Sequence, residues 1–438
     1  MVIENGGKWK KRLISYTELP SWSHDNDFIL SGYRAPGGTV DELKSRNAGT
    51  KAISTATAKA PTNGTRIRKV KKANDTADEE EFRSVEEHDS FWRCWESVWL
   101  YVHNETVNIH THLWGAIIAI IAVGLHILGE FELIPSWLHP ITHHSIFYPQ
   151  SINPLPPRTI KTTNFWQSLL SRSDTNPALI GPITINALIT TPGHESVYPW
   201  HDVRARDNTY ADWLGYASYL AGAITVLTCS ATFHALHCHS EKISKSYNKL
   251  DYIGIVAMIV GSFLPMIHYG FHCHPHLQLL YSIMIVSLGS AAAYTVLAQK
   301  FSSPAYRPIR TSVFIALGLS AIFPVTHILA MYGHETVSRT MGLHYLVAGG
   351  ILYIVGACMY MARIPERFSP GKFDLFGASH QIFHVLILFA AFCHYISVRR
   401  SHVFWHTVEA INSGGPGTAT EAVCQAFDIL RFSSSTKQ

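Results

Sequence analysis

At 438 residues, with 47% apolar and only 15% charged side chains, the chain is long enough for two or three soluble domains. Its apolar residues fall in blocks rather than at amphipathic spacing. That excludes an ordinary globular assembly and points to membrane spans of about 20 residues each. A net charge of +4 is too small for this length to argue for a nucleic-acid partner.

Residues 1–85 are rich in Lys, Thr, Ser, Asp and Gly, with a basic cluster at Arg66–Lys72 and an acidic run at Asp78–Glu81. They are expected to form a disordered cytosolic tail, the basic cluster reading as a solvated charge run, with anionic-lipid binding or a nuclear signal as alternatives. The opening MVIENGGKWKKR is too polar for a secretory signal peptide, so insertion is expected to rely on the first apolar helix. Residues 86–105 crowd Phe91, Trp92, Trp95, Trp99, Leu100 and Tyr101 together, as suits a helix lying in the headgroup zone.

The apolar blocks predict an all-α, polytopic membrane protein with seven transmembrane helices inside residues 106–400. The first covers 106–129 and the second 213–236. The third and fourth share the charge-free stretch 252–299, broken by HYGFHCHPH, which reads as a loop at a helix end rather than a metal site. The fifth covers 311–333 with a kink at Pro324, the sixth 341–362 and the seventh 375–398; residues 401–438 form a polar tail. Residues 130–205 are Pro-rich and long for a link between adjacent spans. They are either an extracellular insertion or non-coding sequence translated through an incorrect gene model, and no domain is assigned to them.

Lys242, Lys245, Lys249, Lys300, Arg307, Arg310, Arg363, Arg367 and Lys372 gather in alternate short connections, whereas the opposite ones hold only Arg339. The positive-inside rule then predicts a cytosolic N-terminus and an extracellular C-terminus, with the sequons at Asn63, Asn74 and Asn104 unglycosylated. Cys94, Cys229, Cys238, Cys273, Cys358, Cys393 and Cys424 are odd in number and lie mostly in or beside apolar segments, so no disulfide framework is expected.

The chemistry gathers where three spans meet one membrane face. Ser230 and His234 are four apart and share a helix face, Asp251 is the last charged residue before a long charge-free run, and His380 and His384 are another pair four apart. In this threading all five lie at similar depth, where polar groups need partners. Three imidazoles with one open position make a catalytic-type zinc site, and a nearby Asp or Ser can orient a ligand or a water. His112, His126, His268, His327, His344 and His394 read as packing residues, and His237 and His239 as interfacial.

Ser230–His234, the following HSEKISKSYNKLDYIGI, the GSFLP of the third span and His380–His384 in HQIFH closely resemble the progestin and adipoQ receptor family, which includes adiponectin receptors, haemolysin III proteins and fungal Izh proteins. HNETVNIHTHL, with Glu105 and Asn108 in its acidic and amide positions, resembles the family's first motif, and the likeness covers roughly residues 82–129 and 207–400. The resemblance implies zinc held by His234, His380 and His384, with Ser230 and Asp251 nearby and Asp251 acting through a bound water. It also implies a link to hydrolysis of the ceramide amide bond and to zinc, sterol and lipid homeostasis.

Two functions compete. One is a zinc-dependent lipid amide hydrolase using Asp251 and Ser230; the other is a signalling receptor in which the zinc is structural and an extracellular protein ligand shifts helix packing. A channel ranks last, because no span carries a repeated polar face. The plasma membrane is the first expectation for location and the endoplasmic reticulum the second.

Overall fold

The computed structural model describes residues 13–37, 39, 87–130, 210–301, 303–411 and 424, with the short strands β1 (Val2–Ile3) and β2 (Trp9–Lys10). Strands β3 (Leu13–Ile14) and β4 (Tyr33–Arg34) are followed by α1 (Phe91–Leu100), α2 (Thr106–Glu130), α3 (Tyr210–Leu236), α4 (Glu241–Gly270) and α5 (Pro275–Leu297). Then come α6 (Arg307–Leu319), α7 (Ile322–Met341), α8 (Leu343–Ala362) and α9 (Ser379–Ile411). Among the described residues, seven helical stretches are long and apolar enough to cross a membrane, α6 and α7 together forming the fifth. Short connections make successive spans from α3 onward antiparallel, and the contact of Glu105, just before α2, with His234 puts the start of α2 at the end of α3. The last turn of α3 and the first turns of α2, α4, α6 and α9 therefore share one end of the bundle, called here the site end.

The closest pairing is α3 on α4, and small residues cause it. A Cβ on Gly254 would meet Val226 Cα at 2.9 Å, and one on Gly222 would meet the Ala257 carbonyl at 2.9 Å. Without side chains at these points the two backbones approach closely, as membrane helices do when van der Waals packing holds them together. That approach sets Ser230 of α3 against Asp251 of α4.

The boundaries depart from the sequence expectation in several places. α4 begins at Glu241, since its polar first turns still satisfy their own backbone and Glu241 suits a helix N-terminus. The fifth span does not bend at Pro324 but breaks before it, at Ser320–Ala321. Proline has no N–H to give the carbonyl four residues earlier, that of Ser320, so the helix opens there. A second interruption falls at Gly333, whose φ of 76° is left-handed. α9 continues to Ile411, beyond the expected end of the seventh span. Residues 131–209, most of the expected insertion, lie outside the described residues, as do Asn63 and Asn74.

Two corrections concern whole segments. Residues 13–37 are not a disordered tail. Leu13 and Ile14 pair antiparallel with Arg34 and Tyr33, and Ile14, Leu19, Ile29, Tyr33 and Ala35 form a small core with Ala378 beside the start of α9. Composition averaged over 85 polar-rich residues conceals this short apolar set. The cysteines do form a disulfide: Cys273, between α4 and α5, is bonded to Cys424 of the tail. Cys94, Cys229, Cys238, Cys358 and Cys393 are free.

α1 is amphipathic and covers ten of residues 86–105. Ser90 caps it, accepting from Arg93 N at 3.3 Å. Cys94, Ser97 and Val98 are buried, while Phe91, Trp92, Trp95 and Trp99 are exposed. That aromatic face suits an interface where one side is apolar and the other wet.

Candidate metal centre

His234 sits in the last turn of α3, and His380 and His384 occupy successive turns at the start of α9. Their ring centroids are each 4.8 Å apart, with the planes crossed at 73–76°. One nitrogen from each ring lies within 4.8 Å of the others, so the cluster could hold a metal ion. The outer nitrogens of two of the rings have partners. His234 Nδ1 is 2.7 Å from Glu105 Oε2, and His384 Nδ1 is 3.1 Å from the Asn108 carbonyl, each contact fixing which ring nitrogen turns inward. Asn108 Nδ2 in turn donates to Glu105 Oε2 at 2.6 Å.

The donor set fits zinc. His234 Nε2 is buried without a hydrogen-bond partner among the described residues, an arrangement that is costly unless a metal takes its lone pair. Three neutral imidazoles are a familiar zinc ligand set, with a further position open.

Asp251 belongs beside this cluster. The Ser230 hydroxyl donates to its carboxylate, and Asp251, His234 and His380 line one cavity of about 820 Å³. The cavity also takes in Glu105 and Asn108, then Tyr252, Arg307 and Tyr360, and runs on to Phe314, Ile322, Val347 and Ile351. Of these, Ile322, Val347 and Ile351 are exposed on the apolar outside of the bundle. Tyr360 links wall to cluster: its ring centroid is 4.8 Å from that of His380, and the Arg307 guanidinium carbon lies over the same Tyr360 ring, 4.8 Å from its centroid. Arg307 also pairs with Asp25 of the N-terminal segment.

All five residues singled out from sequence thus fall in this region, as the cluster His234, His380 and His384 and the pair Ser230 and Asp251. His394 fits its packing assignment, pairing through Nε2 with the Ser262 carbonyl at 3.1 Å, and His327 pairs with the Tyr281 hydroxyl at 2.9 Å. His112 does not. It stacks on His384 at 3.7 Å between centroids, fully inside the protein, with both ring nitrogens lacking a partner among the described residues. The spacing Glu105, Asn108, His112 places all three on one helix face and could have flagged it. Arg34 and Glu366, which hold the ends of the ligand-bearing helices, leave no comparable sequence signal.

A seven-helix bundle with a buried histidine cluster at one end defines the class. Residues 100–395, more than half of the chain, match the haemolysin-III related family, and the chain belongs to that family, the progestin and adipoQ receptors. It is 44% identical over 180 residues to the "Adiponectin receptor protein" of Drosophila melanogaster, a stretch covering 41% of this chain and 40% of that one. It is also 44% identical over 180 residues to the "Heptahelical transmembrane protein 3" of Arabidopsis thaliana, covering 41% and 52% of the two chains. These matches therefore span about half the length of the relatives. The "ADIPOR-like receptor IZH2" of Saccharomyces cerevisiae is 28% identical over 404 residues, 92% of this chain and 88% of that one.

Proposed function

We propose that the protein is a zinc-dependent lipid amide hydrolase of the ceramidase type, acting in lipid, sterol and zinc homeostasis, with His234, His380 and His384 as metal ligands. The observation carrying this reading is a three-imidazole cluster that opens onto a cavity running from polar groups to the apolar outside of the bundle. Such a cavity suits an amphiphile whose scissile bond lies near its polar end and whose chain lies among Phe314, Ile322, Val347 and Ile351.

When bound, zinc would polarise the substrate carbonyl and lower the pKa of a nearby water. Amide hydrolysis adds water across the C–N bond, giving a fatty acid and an amine. Asp251 accepts the proton that water gives up and returns it to the departing nitrogen, while Ser230 fixes the carboxylate by its hydrogen bond. Glu105 and Asn108 hold the His234 and His384 rings in place.

The site end faces the cytosol in this reading, with the N-terminus inside and the C-terminus outside, at the plasma membrane first and the endoplasmic reticulum second. Two cysteine pairs support that direction. Cys94 and Cys238 at the site end are free thiols 3.6 Å apart, whereas Cys273 and Cys424 at the opposite end are bonded, matching a reducing and an oxidising compartment. The test of function is Asp251→Asn. Loss of ceramide hydrolysis with zinc content and folding unchanged supports the enzyme. Retained hydrolysis defeats the role of Asp251.

A receptor with a structural zinc is the second reading, favoured by the names of the Drosophila and yeast relatives. It predicts that purified wild-type protein hydrolyses no lipid amide although zinc is bound.

A further inference from the structure

We infer that the N-terminal hairpin, residues 13–35, is part of the metal centre, and that Arg34 is a positioning residue for His234; this rests on the zinc reading above. Arg34 is buried, at 2% exposure. Its Nη2 donates to the His234 carbonyl at 2.6 Å, and its Nη1 to the Ala235 carbonyl at 2.9 Å and to Ser97 Oγ of α1 at 2.9 Å. His234 and Ala235 are among the last residues of α3, whose carbonyls have no partner within the helix. A cation is favourable there because the helix dipole leaves partial negative charge at that end. The guanidinium thereby fixes the height of the very turn that carries the ligand.

The same hairpin controls the ring of His234 and the other ligand-bearing helix. Gly32 accepts from Asn104 N at 2.9 Å, next to Glu105, the partner of His234 Nδ1. Gly32 has φ +84°, and a Cβ there would meet Leu375 Cδ2 at 2.8 Å, so only glycine lets the chain pass. Leu30 N and Ser31 Oγ donate to Asp374 at 2.9 and 2.6 Å, and Asn26 Nδ2 donates to Glu366 Oε1 at 3.0 Å. Glu366, fully buried, accepts from the Ser379 N–H at 2.8 Å and so caps α9 one residue before His380.

α3 and α9 touch each other sparingly, in contrast to α3 and α4. The spacing between His234 and His380 is therefore set in large part by what bridges the two helix ends, and the hairpin bridges them. Loss of an outer partner of a ligand typically costs 10–100-fold in metal affinity.

The experiment uses the full-length purified protein, with zinc affinity measured by chelator competition and ligand geometry by the visible spectrum of the cobalt(II)-loaded form. Arg34→Lys keeps the charge but cannot bridge both carbonyls and Ser97; it is expected to bind zinc about 10-fold more weakly, with an altered cobalt spectrum. Arg34→Met is expected to lose about 100-fold. Ser290→Ala, which removes only a bond to the Val286 carbonyl on the exposed face of α5, outside the hairpin and the cluster, is expected to leave both readings unchanged. Should Arg34→Met fail to fold, Arg34→Lys decides. Wild-type zinc affinity and an unaltered cobalt spectrum in folded Arg34→Lys overturn the inference while leaving the zinc reading standing. A wild-type protein that binds no zinc overturns both.

Discussion

The two ends of the bundle are held together by different means. At the opposite end a covalent bond between Cys273 and Cys424 ties the tail to the α4–α5 loop, with Tyr269 and Trp405 packed beside it and the Trp405 indole donating to the Tyr269 carbonyl at 3.1 Å. At the site end no disulfide joins the free thiols of Cys94 and Cys238, and the N-terminal hairpin is held by buried charge-assisted hydrogen bonds from Arg34 and to Glu366 and Asp374. Covalent closure limits the unfolded chain, whereas a hydrogen-bonded clamp fixes the geometry of what it touches. The end that carries the histidine cluster uses the second device.

Glu366→Ala should show the largest effect on this contrast. It strips Ser379 and Asn26 of a buried acceptor, and the expected loss is on the order of 3 kcal/mol in thermal or denaturant unfolding. An unchanged melting temperature would mean the clamp contributes nothing. Cys273→Ser should cost somewhat less, about 2 kcal/mol, and only under non-reducing conditions. Peptide mapping should recover Cys273 linked to Cys424 but Cys94 and Cys238 as separately alkylated thiols; the reverse pattern would break the comparison.

Acid should loosen the site end in particular. His88 bonds the Ala35 carbonyl and the Tyr101 hydroxyl, and burial, with Arg34 close by, pushes its pKa from 6.5 down to about 4. Asp89 and Arg93 act on it in opposite directions. Between those two values the unfolded chain binds a proton that the folded chain refuses. The stability contribution is therefore whole above pH 6.5 and is lost as pH falls towards about 4. The loss is on the order of 2–3 kcal/mol, measured as the melting-temperature difference between the natural protein and His88→Asn across that window. Equal pH slopes for the two proteins would contradict it. The smallest effect belongs to α1: Trp92→Ser, on an exposed face, should change stability in detergent by less than about 0.5 kcal/mol.

The spans were legible because a membrane leaves the same mark on every segment it surrounds, a charge-free block of fixed length. The cluster was legible for a related reason: Ser230, Asp251, His380 and His384 interrupt such blocks, and polar groups in lipid need partners. What stayed hidden depends on contacts between residues remote in sequence. Arg34 meets His234 across a separation of 200 residues, and Cys273 meets Cys424 across 151, with nothing local to announce either. The hairpin's few apolar residues vanished in the average of a polar tail. His112 was within reach, since it shares a face with Glu105 and Asn108, but a single histidine among apolar neighbours looks the same whether it packs or lines a site.

The most direct measurement of the central claim is zinc per molecule of purified protein, for the natural sequence and for His234→Ala and His380→Ala confirmed to be folded. About one zinc in the natural protein, lost from both variants, is the predicted result. Zinc absent from the natural protein, or retained in both variants, would contradict the metal centre and leave the three histidines as packing residues.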